Sequence, residues 1–307
     1  MAASAMQRGK KPKMKYSLKQ NLIAYSFILP NFIGFVCLTL LPIAFSFILS
    51  VCNWDAGNAS SIQFVGLENF KSMASDQTFS IAMKNTLLYA LGVVPITMLL
   101  SLLTAMLLNC KIKGRTFFRS VVFFPYVASL VAVGVVWNAL FHPSNGPVNQ
   151  LLAALGVENL PRWAASTTWA MPTLIMLTIW KSVGYYAIVY LAALQGVPRE
   201  LYEASRIDGA NGWQRFKNIT WPMVTPTTFF VVVMLTIFSF KVFDLMYITT
   251  QGGPGRSTQV LVYHIYNKAF ISQEYGYASA LATVLFAIVL VITLLQFRVE
   301  KKFTDYL

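Results

Sequence analysis

Charged residues are scarce in this 307-residue chain: Asp, Glu, Lys and Arg together supply 11% of it, against 56% hydrophobic residues. A soluble domain carries about 25% charged residues and covers its surface with them. That coating is missing, so lipid is the solvent that most of the surface suits. Three cysteines, Cys37, Cys52 and Cys110, form no CxxC pair. They indicate neither a disulfide framework nor a zinc site and read as small apolar fillers. Only two histidines occur, His142 and His264, and neither has a carboxylate or Cys at ligand spacing, so no metal site is assigned. No GxxxxGK[ST] run is present, so the chain has no P-loop for ATP. Paired carboxylates, HExxH and Ser-His constellations are also missing from the apolar stretches, which leaves a membrane-embedded enzyme without support.

What the chain has is long apolar runs. A spanning helix needs about 20 largely apolar residues, and six segments qualify: 23–50, 83–109, 120–141, 170–194, 223–248 and 277–297. The expected fold is all-α, a polytopic membrane protein with six transmembrane helices. Pro30, Pro42, Pro95, Pro125, Pro172 and Pro226 sit inside or at the ends of these runs, which suits packed, kinked helices whose neighbours satisfy the freed carbonyls. The basic start resembles the first third of a signal peptide. However, the apolar run from Leu22 to Val51 exceeds the roughly 7–15 residues of a cleavable core, so it reads as a retained first span.

The 24 Lys and Arg outnumber 11 Asp and Glu, and their placement sets orientation. Basic residues fill the N-terminal tail (Arg8, Lys10, Lys11, Lys13, Lys15, Lys19) and the loop after the second span (Lys111, Lys113, Arg115, Arg119). They also fill the loop after the fourth span (Arg199, Arg206, Arg215, Lys217) and the C-terminal tail (Arg298, Lys301, Lys302). The alternate loops hold Lys71, Arg162, Arg256 and Lys268. Both termini are therefore expected on the cytoplasmic side of the membrane. The basic tail is a topology determinant touching anionic headgroups, with no nucleic acid partner. The expected order is a basic cytoplasmic tail 1–22, a first helix 23–50, an external loop 51–82, a membrane core 83–298 containing the cytoplasmic loop 195–222, and a tail 299–307.

That cytoplasmic loop is unlike the other connections. Pro198 followed by Arg199-Glu200 suits a helix first turn. Leu201, Ala204 and Ile207 place small and apolar groups on one face, and Asp208-Gly209 is a good stop because Gly tolerates the left-handed conformation. Trp213, Phe216 and Ile219 form a second short apolar stripe closed by Pro222. Two short helices with a break between them are expected. The pattern alone fits a helix lying on the headgroups as well as one that meets a protein partner.

Polar groups inside spans usually face a bundle interior or an aqueous cavity. Lys84 sits at an edge and snorkels. Lys181 and Lys241 lie deeper and either reach outward or line a cavity. Asp244 is close enough in sequence to pair with Lys241 on one helix face. Ser182, Gly184, Tyr185 and Tyr186 in the fourth span, Tyr126 beside Pro125 in the third, and Ser239 in the fifth are candidates for a solute pathway. Aromatic faces with a few hydroxyls suit sugar rings. The alternative for each is helix packing through small residues plus an aromatic belt.

Glu203-Ala204-Ser205-Arg206-Ile207-Asp208-Gly209-Ala210, with Phe216, Ile219 and Pro222 beyond, resembles the EAA signature of permease subunits in binding-protein-dependent ABC importers. Ser205 stands where that signature has Ala. Phe64-Val65-Gly66-Leu67-Glu68-Asn69-Phe70, Phe124-Pro125-Tyr126, Ile179-Trp180-Lys181 and Gly252-Gly253-Pro254 are similar to the carbohydrate-uptake branch, which includes maltose/oligosaccharide and glycerol-phosphate importers. The resemblance runs from about residue 25 to the end. It implies a type I importer core of the MetI-like kind, with a second homologous permease, a cytoplasmic ATPase dimer holding ATP and magnesium, an extracellular or periplasmic binding protein, and a sugar substrate. It implies that Glu203 contacts the ATPase, that Ala204 and Ser205 allow close approach, that Gly209 makes the break, and that Asp208 belongs to the same ATPase-coupling set. A self-contained secondary transporter or channel is the competing class, and it needs no docking element.

Overall fold

The computed structural model describes residues 18–55, 61–110 and 113–304. Of the basic residues that set the expected orientation, Arg8, Lys10, Lys11, Lys13, Lys15 and Lys111 lie outside the described residues, as do 305–307 of the expected C-terminal tail. Residues 18–48 belong to a unit of their own. There, helix Leu18–Phe35, a π turn Val36–Leu40 and helix Leu41–Leu49 follow one another, and Tyr25–Leu49 is long and apolar enough to cross a membrane.

The second unit starts at Leu49. Its long apolar helices are Gln77–Asn109, Ala170–Gln195, Gly212–Phe240 and Tyr275–Glu300. With Tyr25–Leu49 they give five spans, or six when the bent pair Arg115–Val127 and Leu130–Leu140 counts as one. Two expected spans differ in shape. The third, read as one helix over 120–141, turns by 95° between its halves. Ala128 and Ser129 adopt extended backbone there. The fifth, read over 223–248, stops at Phe240, and a separate short helix Asp244–Thr249 follows. That turn lets Leu245 and Met246 bury themselves against Tyr89, Val93, Val133 and Leu174, a gain that sequence periodicity does not report.

The second and fourth spans pack along much of their length, and polar side chains stitch the pair. Tyr89 Oη lies 2.7 Å from Thr178 Oγ1, and Ser101 Oγ donates to the Val183 carbonyl at 3.1 Å. Such bonds are worth having where lipid supplies no alternative partner. Leu102, Ala105, Tyr190, Leu191, Val224 and Val231 join these spans to the fifth near the 195–222 connection. Gln296 Nε2 donates to Thr236 Oγ1 at 2.9 Å and ties the sixth span to the fifth. The third span closes on the fourth at Gly184, where a β-carbon would land on the Val122 carbonyl.

On the face opposite the 195–222 connection, Asp76 caps the second span by accepting from Thr78 N at 2.7 Å. Its other oxygen meets His264 Nε2 at 3.0 Å and accepts from Tyr277 Oη at 2.9 Å. This carboxylate lies 188 residues from the histidine it touches, so no spacing rule could have paired them. Burial lowers the His264 pKa from its ordinary 6.5 and outweighs the pull of Asp76. Burial also pushes the Asp76 carboxyl upward, but bonds from Tyr277, Thr78 and His264 together leave it below 3.8.

Two outcomes follow from these contacts. Gly184→Ala forces a methyl onto backbone that cannot swing aside, and overpacking of this kind costs about 1–3 kcal/mol. The variant should show a lower melting temperature in detergent, whereas Gly212→Ala, whose new methyl meets nothing within 4 Å, should not. For the junction, both folded pKa values lie below the unfolded ones. Its stability is therefore complete above 6.5 for His264 and above 3.8 for Asp76, and is lost as pH falls below each. Thermal unfolding followed from about pH 7.5 to pH 5.5 should show a falling melting temperature that flattens in His264→Gln. Equal slopes for the two proteins would mean that His264 does not titrate there.

Candidate functional site

The 195–222 connection is built as one short helix and the start of a long one. Pro198 sits at the N-cap of Arg199–Ile207, with Glu200 in the first turn and Arg206 in the last, both favourable to the helix dipole. The end is a Schellman closure: Ala210 N bonds Ser205 O at 2.9 Å, and Gly209 N bonds Arg206 O at 3.1 Å. Gly209 takes φ +75° to make it, with open space around its missing β-carbon, so here glycine is required for conformation and not for room. The second short helix expected over this stretch is instead the first turns of the fifth span. Asn211 and Gln214 form a capping box at its start. A π turn Phe216–Thr220 then carries the chain past Pro222, with Trp221 N bonded to Phe216 O. A π turn tolerates the missing N–H and bulk of the proline that would otherwise have ended the helix.

The helix Arg199–Ile207 buries none of its residues. Glu203, Ala204, Asp208 and Gly209 are exposed and Ser205 is half-buried, its Oγ turned back onto the Tyr202 carbonyl at 2.9 Å. Leu201 is 41% exposed and Ile207 88% exposed, so the apolar stripe of this helix faces outward, uncovered. One side-chain bond anchors it from below, Tyr202 Oη to Thr220 Oγ1 at 2.9 Å. Trp213 is 70% exposed and stacks on Phe216. The Tyr202–Thr220 link crosses the break between the two helices, and no local pattern announced it.

A second site opens between the third, fourth and fifth spans. A cleft of about 260 Å³ is lined by Tyr89, Tyr126, Thr178, Lys181, Ser182, Tyr186, Phe238, Ser239, Lys241, Phe243 and Asp244, among others. Of the sequence-derived candidates, Tyr126, Lys181, Ser182, Tyr186, Ser239 and Lys241 meet there. Tyr185 lies behind the wall, its ring stacked on Tyr126 at 4.4 Å and edge-on to Tyr186 at 5.0 Å. Gly184 faces the Val122 backbone and serves helix approach. Tyr89, Phe238 and Phe243 were not anticipated. Tyr89 and Phe238 sit within apolar runs where nothing local marks a cleft-facing position.

The two lysines of the cleft differ. Lys181 Nζ donates to the carbonyls of Pro125 at 3.0 Å, Tyr126 at 3.0 Å and Ala128 at 2.6 Å. It thereby occupies the elbow of the third span. Lys241 is exposed at the C-cap of the fifth span. The expected pairing of Lys241 with Asp244 does not form: among the described residues neither makes an ion pair. The helix ends between them, so the i, i+3 geometry that the pairing needs is gone.

Comparison with known proteins bears on both regions. Residues 97–305 match the family described as binding-protein-dependent transport system inner membrane component. The chain is 36% identical to the probable ABC transporter permease protein YurN of Bacillus subtilis (strain 168), over 92% of this chain and 97% of that one. It is 32% identical to the sn-glycerol-3-phosphate transport system permease protein UgpA of Agrobacterium fabrum (strain C58 / ATCC 33970), over 93% and 97%. Among solved structures it resembles a chain of the bacterial alginate ABC transporter in complex with an alginate pentasaccharide-bound periplasmic protein. That match has a TM-score of 0.83 and 25% identity, covering 94% of this chain and 96% of that one. With a family model spanning most of the chain, relatives matched nearly end to end and apolar helices of spanning length, this chain belongs to the binding-protein-dependent transport system inner membrane component family, as a membrane-embedded, non-enzymatic permease subunit of an ABC importer.

Proposed function

We propose that this permease forms half of the translocation pathway of an importer for a di- or oligosaccharide, and that Arg199–Ile207 couples it to a cytoplasmic ATPase. The observation that carries the coupling is the uncovered helix itself: nine residues with no buried side chain and Leu201 and Ile207 turned outward. Exposed apolar groups on a rigid, capped helix suit a cleft on a partner protein. Glu203 and Ala204 lie exposed on this helix, open to the ATPase, and Ser205 keeps the close approach that a small side chain allows. Gly209 lets the helix turn away sharply and stay stiff. ATP and magnesium belong to that ATPase dimer. The basic loops face the cytosol of a bacterial plasma membrane, a second homologous permease supplies the other half of the pathway, and a binding protein delivers the solute to the opposite face. Closure of the ATPase pair pulls on the helix and rocks the attached spans, so the pathway opens outward, and hydrolysis resets it.

The cleft supports a saccharide. Tyr126, Tyr186, Phe238 and Phe243 offer faces for the apolar C–H sides of sugar rings, while Ser182, Lys241 and Asp244 offer donors and an acceptor for hydroxyls. Lys181 is committed to backbone carbonyls, which leaves Lys241 and Asp244, one charge of each sign and not paired with each other, to meet a solute. With Lys181 held by the backbone and a carboxylate beside the remaining lysine, the aromatic faces and hydroxyls favour a neutral glycan over glycerol phosphate.

Growth of a strain lacking this gene on maltose, maltotriose, cellobiose, raffinose and glycerol 3-phosphate tests the solute, and glycerol 3-phosphate as the sole defect would reject the neutral-saccharide reading. Coupling is tested in the same strain. Glu203→Ala and Gly209→Val should abolish uptake and co-purification of the ATPase while leaving the permease at normal abundance in the membrane, since neither site is packed and the strain of a valine at φ +75° is confined to the end of this exposed helix. A photo-crosslinking residue at Ile207 should capture the ATPase. Normal uptake by both variants would reject the docking role.

A further inference from the structure

The elbow of the third span raises a problem that the fourth span solves. At the C-terminus of Arg115–Val127 the last carbonyls have no partners within the helix and must be met from a neighbouring element. Lys181 reaches across from the fourth span and places its ammonium between two of them, those of Pro125 and Tyr126, and the carbonyl of the extended Ala128 just beyond, at 2.6–3.0 Å. An ammonium has three donors, so all of them are used. The positive charge sits at the negative end of the helix dipole, where it is favoured. The same ammonium lies 6.0 Å from the centre of the Tyr126 ring. Tyr126 in turn stacks on Tyr185, one turn beyond Lys181 on the fourth span.

We propose that Lys181 is a positioning residue of the transport pathway: it staples the elbow of the third span and so holds the Tyr126 ring against Tyr185 as a wall of the cleft, without itself binding the solute. This rests on the reading of the cleft as the solute pathway. A lysine whose three donors are taken by carbonyls cannot bond a sugar hydroxyl without releasing the elbow. The contribution of Lys181 to affinity therefore passes through Tyr126.

Proximity between residues 126 and 185 is the direct readout. In a chain with Cys37→Ser, Cys52→Ala and Cys110→Ser, the pair Tyr126→Cys and Tyr185→Cys should form a disulfide in native membranes on copper-phenanthroline oxidation. Adding Lys181→Met should cut the cross-linked fraction about tenfold or more, since three charge-assisted bonds are lost, and Lys181→Arg should restore it. Should Lys181→Met fail to accumulate in the membrane, Lys181→Gln is read the same way. An undiminished cross-link in Lys181→Met or Lys181→Gln, or no cross-link in the Lys181 parent, would overturn the proposal. The cross-link needs neither ATPase nor solute, so its outcome is separate from that of the coupling experiment. With the native tyrosines present, uptake of the radiolabelled saccharide from the growth panel should show a half-saturation concentration raised about tenfold in Lys181→Met with the maximal rate kept. Lys181→Arg should stay near wild type. Equal impairment by Arg and Met would point to a direct ligand.

Discussion

Backbone groups in a hydrocarbon environment must find partners inside the protein, and this constraint governs the spans of the second unit. An unbroken helix meets it alone. A helix that turns by 95° in mid-course does not, and the carbonyls it frees have to be met from a neighbouring span. Lys181 meets them, and the approach it needs is made possible one turn away by Gly184, whose missing side chain lets the Val122 backbone come into contact. A lysine and a glycine that the sequence offered as candidates for the solute pathway thus serve one junction. The aromatic wall of the cleft follows from it, because Tyr126 belongs to the same last turn.

The two candidate regions ask opposite things of their side chains. At the cleft, rings and hydroxyls are held by mutual stacking and by spans packed on either side, so their positions are set by the whole bundle. At the Arg199–Ile207 helix almost nothing is packed, and rigidity comes from local devices instead: Pro198 at the start, the Schellman closure at Gly209, and the capping box at Asn211. Such a helix keeps its shape without neighbours. The Tyr202–Thr220 bond and the continuous run of the next helix from Gly212 to Phe240 give a mechanical path from the exposed helix to Ser239 and Lys241 at the cleft. The separate second helix expected from sequence would have put a joint in that path.

The sequence by itself determined the elements governed by local chemistry. Apolar length marked the spans, since lipid solvation depends on composition along the chain and little else. Pro198, Glu200 and Gly209 announced the exposed helix and its stop, because capping is decided within a few residues. The motif around Glu203 pointed to the family. Tertiary structure decided whatever depends on elements distant in sequence. The elbow at Ala128 is held from residue 181, and Asp76 finds His264 and Tyr277 far along the chain. The turn after Phe240 that separates Lys241 from Asp244 follows from burying Leu245 and Met246. Which polar residues of a span face a cleft, and which only fasten two helices together, is settled by what packs across from them, and periodicity along one helix carries no record of that.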